Sequence, residues 1–162
     1  MKTTNNIFAM FAMAALAAIC GFAQSPEKPT KNPNFDAALA KKVGADKRGM
    51  RNYVLAILKT GPKDAEIKGK EREDLFKGHF ANINRLSTEG KLSVAGPFGK
   101  NDKTFRGLYI FNVKTVDEAL ALVTTDPVIK SGVMVFDLIP WYGSAALMEV
   151  NRIHNVISED NP

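Results

Sequence analysis

The sequence predicts an α+β domain in which a four-stranded antiparallel sheet carries two helices on one face. Three observations carry this. Lys77–Phe98 reads as a helix end, a glycine stop and a strand. Thr115-Val-Asp-Glu118 is a capping box, in which the threonine hydroxyl and the glutamate side chain each satisfy a free helix-terminal amide. Three further apolar runs, 52–59, 105–113 and 133–142, are bounded by glycine, proline or polar turn residues, as strands are.

Before the domain, Lys2 precedes an apolar run from Ile7 to Ile19, followed by Gly21-Phe22-Ala23 and a polar, proline-bearing segment. This pattern predicts a signal peptide over residues 1–23, cleaved after Ala23, and hence a secreted or periplasmic protein. The run is shorter than the ~20 residues that span a bilayer, so no membrane association is expected once the leader is gone. Cys20 is the only cysteine and leaves with it. A lipidated Cys20 is disfavoured by Ile19, which stands where a small residue belongs. Disulfides, thiol catalysis and cysteine-held metals are therefore excluded for the mature chain.

The net charge of +5 raises the question of a nucleic-acid partner. From Gln24 to Asn52 seven basic residues stand against three acidic ones, whereas from Tyr53 onward the two balance. The basic excess belongs to a lead-in, and no nucleic-acid partner is expected. Residues 24–49 form that lead-in: a spacer with three prolines up to Asn34, then a short helix over 35–43 expected to dock Phe35, Leu39 and Val43 and to stop at Gly44.

The domain is expected over residues 50–143. Asn-Tyr-Val-Leu-Ala-Ile-Leu-Lys (52–59) is the first strand, closed by Thr60-Gly61-Pro62, and a charged loop follows. The first helix begins near Glu71. With Leu75 at zero and about 100° per residue, Leu86, Ile83, Phe76 and Phe80 fall near 20, 80, 100 and 140°, and His79 near 40°. A titratable ring is thus aimed at the sheet. Glu89-Gly90 ends the helix with a residue that accepts a left-handed cap. Strands over 91–98 and 105–113 form a hairpin across a polar turn. The capping box opens the second helix at Val116, Asp126-Pro127 interrupts it, and the last strand runs from Val133 to Tyr142, with Pro140 near its end. Residues 144–162 form a helical extension, with Leu147, Val150, Ile153 and Ile157 at helical spacing.

The order strand, helix, strand, strand, helix, strand is the ferredoxin-like βαββαβ arrangement. Both helices lie on one sheet face, so the other is open. Val133, Val135 and Ile139 on the last strand alternate with Met134, Phe136 and Leu138, leaving apolar residues for both faces. An open apolar face is usually an interface, and a homodimer closed sheet against sheet is expected.

These residues resemble the YciI-like, or YCII-related, family, a branch of the dimeric α+β barrel superfamily. The matching segments are Arg51–Leu58, Gly78-His79 through Leu86, Glu89-Gly90-Lys91-Leu92, Ala95-Gly96-Pro97, Leu108–Val113 and Asp126-Pro127 with the strand after it. The ending Pro140-Trp-Tyr-Gly-Ser-Ala-Ala-Leu-Met-Glu-Val-Asn, with the leader and Leu58-Lys-Thr-Gly-Pro62, resembles a secreted subgroup. The resemblance implies a dimer and a small-molecule pocket in which His79 matches the helix histidine and Asp126 the aspartate of the Asp-Pro pair. Where shorter members carry an aspartate before the Glu-Gly, this chain has Thr88, and Glu89 is a poor substitute. Some relatives resemble lyases or dehalogenating enzymes of small ring-cleavage products.

His79 and Asp126 are accordingly the candidate catalytic residues: an imidazole exchanges protons near neutral pH, and a carboxylate fixes its tautomer. Their structural alternatives are a satisfied core histidine and an aspartate N-cap followed by proline at the first helical position. Gly96, Pro97, Arg106 and Trp141 are the candidate substrate contacts, although an aromatic residue at a strand end more often seals a core. His154, at the edge of the tail's apolar stripe, is expected to pack half-exposed. Two imidazoles and no thiol make a structural zinc site improbable. No cofactor is expected, because phosphate-loop, dinucleotide and nucleophile-elbow motifs are all missing. The alternative to an enzyme is a dimeric module that binds a small molecule or an envelope partner in the same cleft.

Overall fold

The computed structural model describes residues 31–159, so the leader and most of the spacer lie outside the described residues. From Asp36 onward the chain forms one compact unit. Helix α1 (Ala37–Lys42) starts where Asp36 accepts the Leu39 amide, and it ends at Gly44 with φ of 66°. Only part of its expected docking is found. Val43, the residue that caps the helix, is buried, but Leu39 within it and Phe35 before it are exposed.

The sheet order is β2-β3-β1-β4, all antiparallel, with β1 (Met50–Thr60), β2 (Leu92–Pro97), β3 (Phe105–Phe111) and β4 (Met134–Ser144). Central β1 outgrows its expected span at both ends because it pairs with β4 from Met50↔Ser144 to Thr60↔Met134. Two helices, α2 (Gly69–Thr88) and α3 (Val116–Val123), supply the core on one face. Val54, Ala56 and Leu58 of β1 alternate into it, with Tyr109 and Phe111 from β3 and Met134 from β4. Leu86 and Val123 close it from the helices. The arrangement is the expected ferredoxin-like one.

Local chemistry sets the helix limits. Lys91 N donates to Leu86 O (2.9 Å) across Gly90, whose φ of 68° is free of penalty only without a side chain. Thr115 and Glu118 form the expected capping box. Asp126-Pro127 opens an additional single turn, α4 (Pro127–Lys130).

The tail departs from one continuous helix. Ser144 Oγ accepts the Ala146 amide and starts a 3₁₀ turn (Ala145–Glu149), after which α5 (Val150–Ile157) begins. Asn151 Nδ2 donates to Leu92 O (2.7 Å) and Ser93 Oγ meets Met148 Sδ (3.4 Å), so the tail is laid along edge strand β2. Edge strands carry unpaired backbone groups, and this contact satisfies one of them. Ile153 and Ile157, two of the residues at helical spacing, are exposed, and so is His154, which was expected to pack half-exposed.

The sheet face away from α2 and α3 carries Leu55, Ile57, Leu108 and Ile110 at its centre and Val135, Ile139 and Trp141 along β4. The last three are exposed. One ion pair, Lys59 Nζ to Asp137 Oδ2 (2.7 Å), interrupts this apolar surface. Among the described residues, no helix is long and apolar enough to cross a membrane.

Candidate functional site

The helical angle that aims His79 at the sheet holds, and the ring is only 7% exposed. Its Nδ1 lies 2.7 Å from Asp126 Oδ2. A carboxylate oxygen only accepts, so Nδ1 carries the proton and Nε2 is the nitrogen left to a ligand. The Tyr109 hydroxyl donates to the same Oδ2 (2.9 Å) and sits 3.2 Å from Nδ1. Asp126 Oδ1 accepts the Val128 amide (3.1 Å), which is its N-cap bond for α4. The aspartate therefore fills both roles at once: one oxygen caps a helix and the other orients an imidazole.

Asp126 is fully buried, and an isolated carboxylate there would be costly. Three donors share its two oxygens and offset that cost. The converse effect falls on Tyr109, whose hydroxyl is pushed far above its ordinary pKa by burial and by the Asp126 charge. It stays a neutral donor at any pH the protein meets.

Three α2 residues beyond His79 hold Asp126 against it. Gly78 is the first. A Cβ there would sit 2.9 Å from Pro127 Cγ, so a glycine alone lets α4 approach the helix this closely. Helix interiors ordinarily disfavour glycine by about 1 kcal/mol relative to alanine, a cost that marks a position where space is needed. Asn82, one turn on and also buried, and Arg85 tie down the preceding residue: Arg85 Nη2 donates to Asn82 Oδ1 (2.8 Å) and to Thr125 Oγ1 (3.2 Å).

His79 and Tyr109 line a cavity of about 640 Å³. Phe76 and Phe80 meet the imidazole edge-on, at centroid distances of 5.8 and 5.4 Å. Gly96, Pro97 and Arg106, all expected substrate contacts, line the same cavity together with Phe98. Trp141 is not brought to it. Its ring lies 5.8 Å from that of Tyr53 on the open sheet face, sealing the strand end there. His154 borders a second cavity of about 610 Å³ between α2, β2 and α5. Thr88 bonds its own helix through Asn84 O, and Glu89 pairs with Arg85 on the surface, so neither reaches His79. Among the described residues no three His, Asp or Glu side chains gather as a metal site would require.

Tyr109, Gly78 and Asn82 were not singled out by the sequence. Asn82 had a readable signal, because at seven residues past Leu75 it falls near −20°, inside the apolar stripe. Tyr109 had a weaker one, alternating in step with core residue Phe111.

A ferredoxin-like α+β domain with a buried His-Asp-Tyr cluster at the base of an apolar cleft is thus defined. The YCII-related domain model matches residues 53–142, and the chain belongs to that family. Among solved structures it is similar to 5-chloro-2-hydroxyhydroquinone dehydrochlorinase (TftG) from Burkholderia phenoliruptrix AC1100, in complex with 2,5-dihydroxybenzoquinone. That match has 22% identity and a TM-score of 0.40, covering 56% of this chain and 93% of the other. Comparison with curated proteins found no match.

The close contact at Gly78 generates a prediction with a distinctive sign. In an unconstrained helix, Gly→Ala stabilises by about 1 kcal/mol. Gly78→Ala is expected instead to destabilise by ~1–3 kcal/mol, because the methyl group forces α4 away and overpacks the contact. Urea denaturation checks it, and a stabilised variant would show that Pro127 yields freely.

Proposed function

We propose that the protein is an enzyme in which His79 moves a proton to and from a small organic molecule bound in the cleft, with Asp126 orienting the ring. The observation that carries this reading is the 2.7 Å contact from His79 Nδ1 to Asp126 Oδ2 beneath a cavity of about 640 Å³. That contact fixes the tautomer, leaves Nε2 as the base, and offers a partner charge for the imidazolium formed when Nε2 takes a proton. Proton removal beside a carbonyl or from a hydroxyl, followed by return of the proton at a leaving group, is the step such a group serves. A lyase or hydrolase reaction fits it, in keeping with the family resemblance.

His79→Gln keeps roughly the volume and a hydrogen-bonding end but cannot exchange the proton. Turnover on a panel of small unsaturated substrates is expected to fall by about 10²–10⁴-fold while the fold persists by circular dichroism. Retained turnover in a folded His79→Gln protein would remove His79 as the base, whereas saturable binding without turnover by the unaltered protein would make the cleft a binding module.

The protein is further proposed to be exported, cleaved after Ala23, and dimeric through its open sheet face. The leader pattern before Gln24 supports the first, and intact mass of protein recovered from producing cells should correspond to a chain starting at Gln24. Exposure of Val135, Ile139 and Trp141 on that face supports the second. Light scattering at micromolar concentration should give twice the mass of one chain, and the mass of one chain would refute it.

A further inference from the structure

The cleft has one cationic side chain in an otherwise largely apolar lining, and its ion pairing is lopsided. Arg106 and Arg72 share a single carboxylate, Asp64, from the loop before α2. Arg72 holds it well: Nη2 lies 2.7 Å from Asp64 Oδ1, and Nη1 donates to Asp64 O at 3.1 Å. The Arg72 guanidinium also covers the outer face of Phe76, 5.1 Å from the ring centroid. Arg106 reaches the same Oδ1 with one long contact of 3.2 Å. A guanidinium carries five N–H donors in a planar fork suited to a carboxylate, and this single contact leaves most of that capacity unspent. Two cations on one anion also leave a net positive charge beside the cleft. The pairing holds the Asp64 carboxyl below its ordinary range, chiefly through the Arg72 hydrogen bond, so the group stays an anion throughout the neutral range.

Apart from His79, Asn84 and Tyr109, the rest of the lining is apolar. Phe80 is 59% exposed and Phe98 39% exposed at the same cavity, an unusual degree for phenylalanine, although Phe80 meets the His79 ring and Phe98 the Phe105 ring. We propose that the cleft takes a small planar organic acid, its aromatic or conjugated body against Phe80 and Phe98 and its carboxylate on Arg106. Asp64 competes for Arg106 through one contact and is held mainly by Arg72, so a ligand carboxylate can displace it from Arg106. The proposal rests on this cleft being the substrate site, but not on His79 being a base.

Equilibrium binding tests it without any need for turnover. trans-Cinnamate and trans-cinnamamide have nearly the same shape and differ in charge, and both are titrated into the protein by ligand-observed NMR. Cinnamate is expected to bind about tenfold or more tightly than the amide, as one charge-assisted bidentate contact allows. In Arg106→Gln the two should bind alike, whereas Asp64→Asn, which removes the competing negative charge beside Arg106, should widen the preference. His79→Gln should keep it, so loss of turnover there and loss of acid preference at Arg106 are separate results. Equal binding of acid and amide to the unaltered protein, no binding of either at millimolar concentration, or a preference that survives Arg106→Gln would each overturn the proposal.

Discussion

The contact between His79 and Asp126 is the constraint around which this side of the domain is arranged. It joins two elements far apart in sequence, the middle of a twenty-residue helix and the start of a single turn. Neither end could be satisfied alone. A fully buried carboxylate needs donors, and a nearly enclosed imidazole needs an acceptor for the N–H it turns inward. The positions around them follow from that requirement. Gly78 has no side chain because Pro127 occupies the space, Pro127 stands at the first helical position where a missing amide proton is tolerated, and Tyr109 adds a donor from the sheet.

The same contact settles a choice that sequence reasoning leaves as a dilemma. An aspartate before a proline reads as an N-cap, and a cap is ordinarily a sufficient explanation for the residue. A carboxylate has two oxygens, however, and capping uses one. Here Oδ1 takes the Val128 amide while Oδ2 faces the imidazole, so a structural role and a chemical one are compatible. The cap also gives the pair rigidity, because a carboxylate anchored to a helix terminus cannot swing away from the ring.

Much of the fold was legible because its signals are local. Strand alternation, the Thr115–Glu118 box, Gly90 and the angle of His79 each depend on residues within one or two turns of one another. The features missed depend on contacts that sequence spacing does not encode. Tyr109 meets Asp126 only through the pairing of β3 beside β1, and the need for glycine at 78 appears only when α4 is laid against α2. Trp141 shows the limit from the other side. Its place at the end of β4 made it a candidate substrate contact, but β4 is an edge strand and Trp141 projects with Val135 and Ile139 onto the open face, opposite the helices. The tail misled for a related reason: its apolar residues keep helical spacing, yet the hydrogen bonds to β2 fix where it turns, and the outer residues face solvent.

The two faces of the sheet divide the work. His79, Asp126 and Tyr109 come from one chain and lie on the helix-covered side, so the hydrogen-bonded cluster is complete without a second copy. The open face carries the exposed apolar residues and contributes none of these three. Substitutions on that face should therefore leave the geometry at His79 intact, because β1 separates the two surfaces: Val54, Ala56 and Leu58 point into the helix-side core while Leu55 and Ile57 point out. Strand alternation, the simplest periodicity in the sequence, is what keeps a buried His-Asp-Tyr cluster and an exposed apolar surface on one thin layer without either interfering with the other.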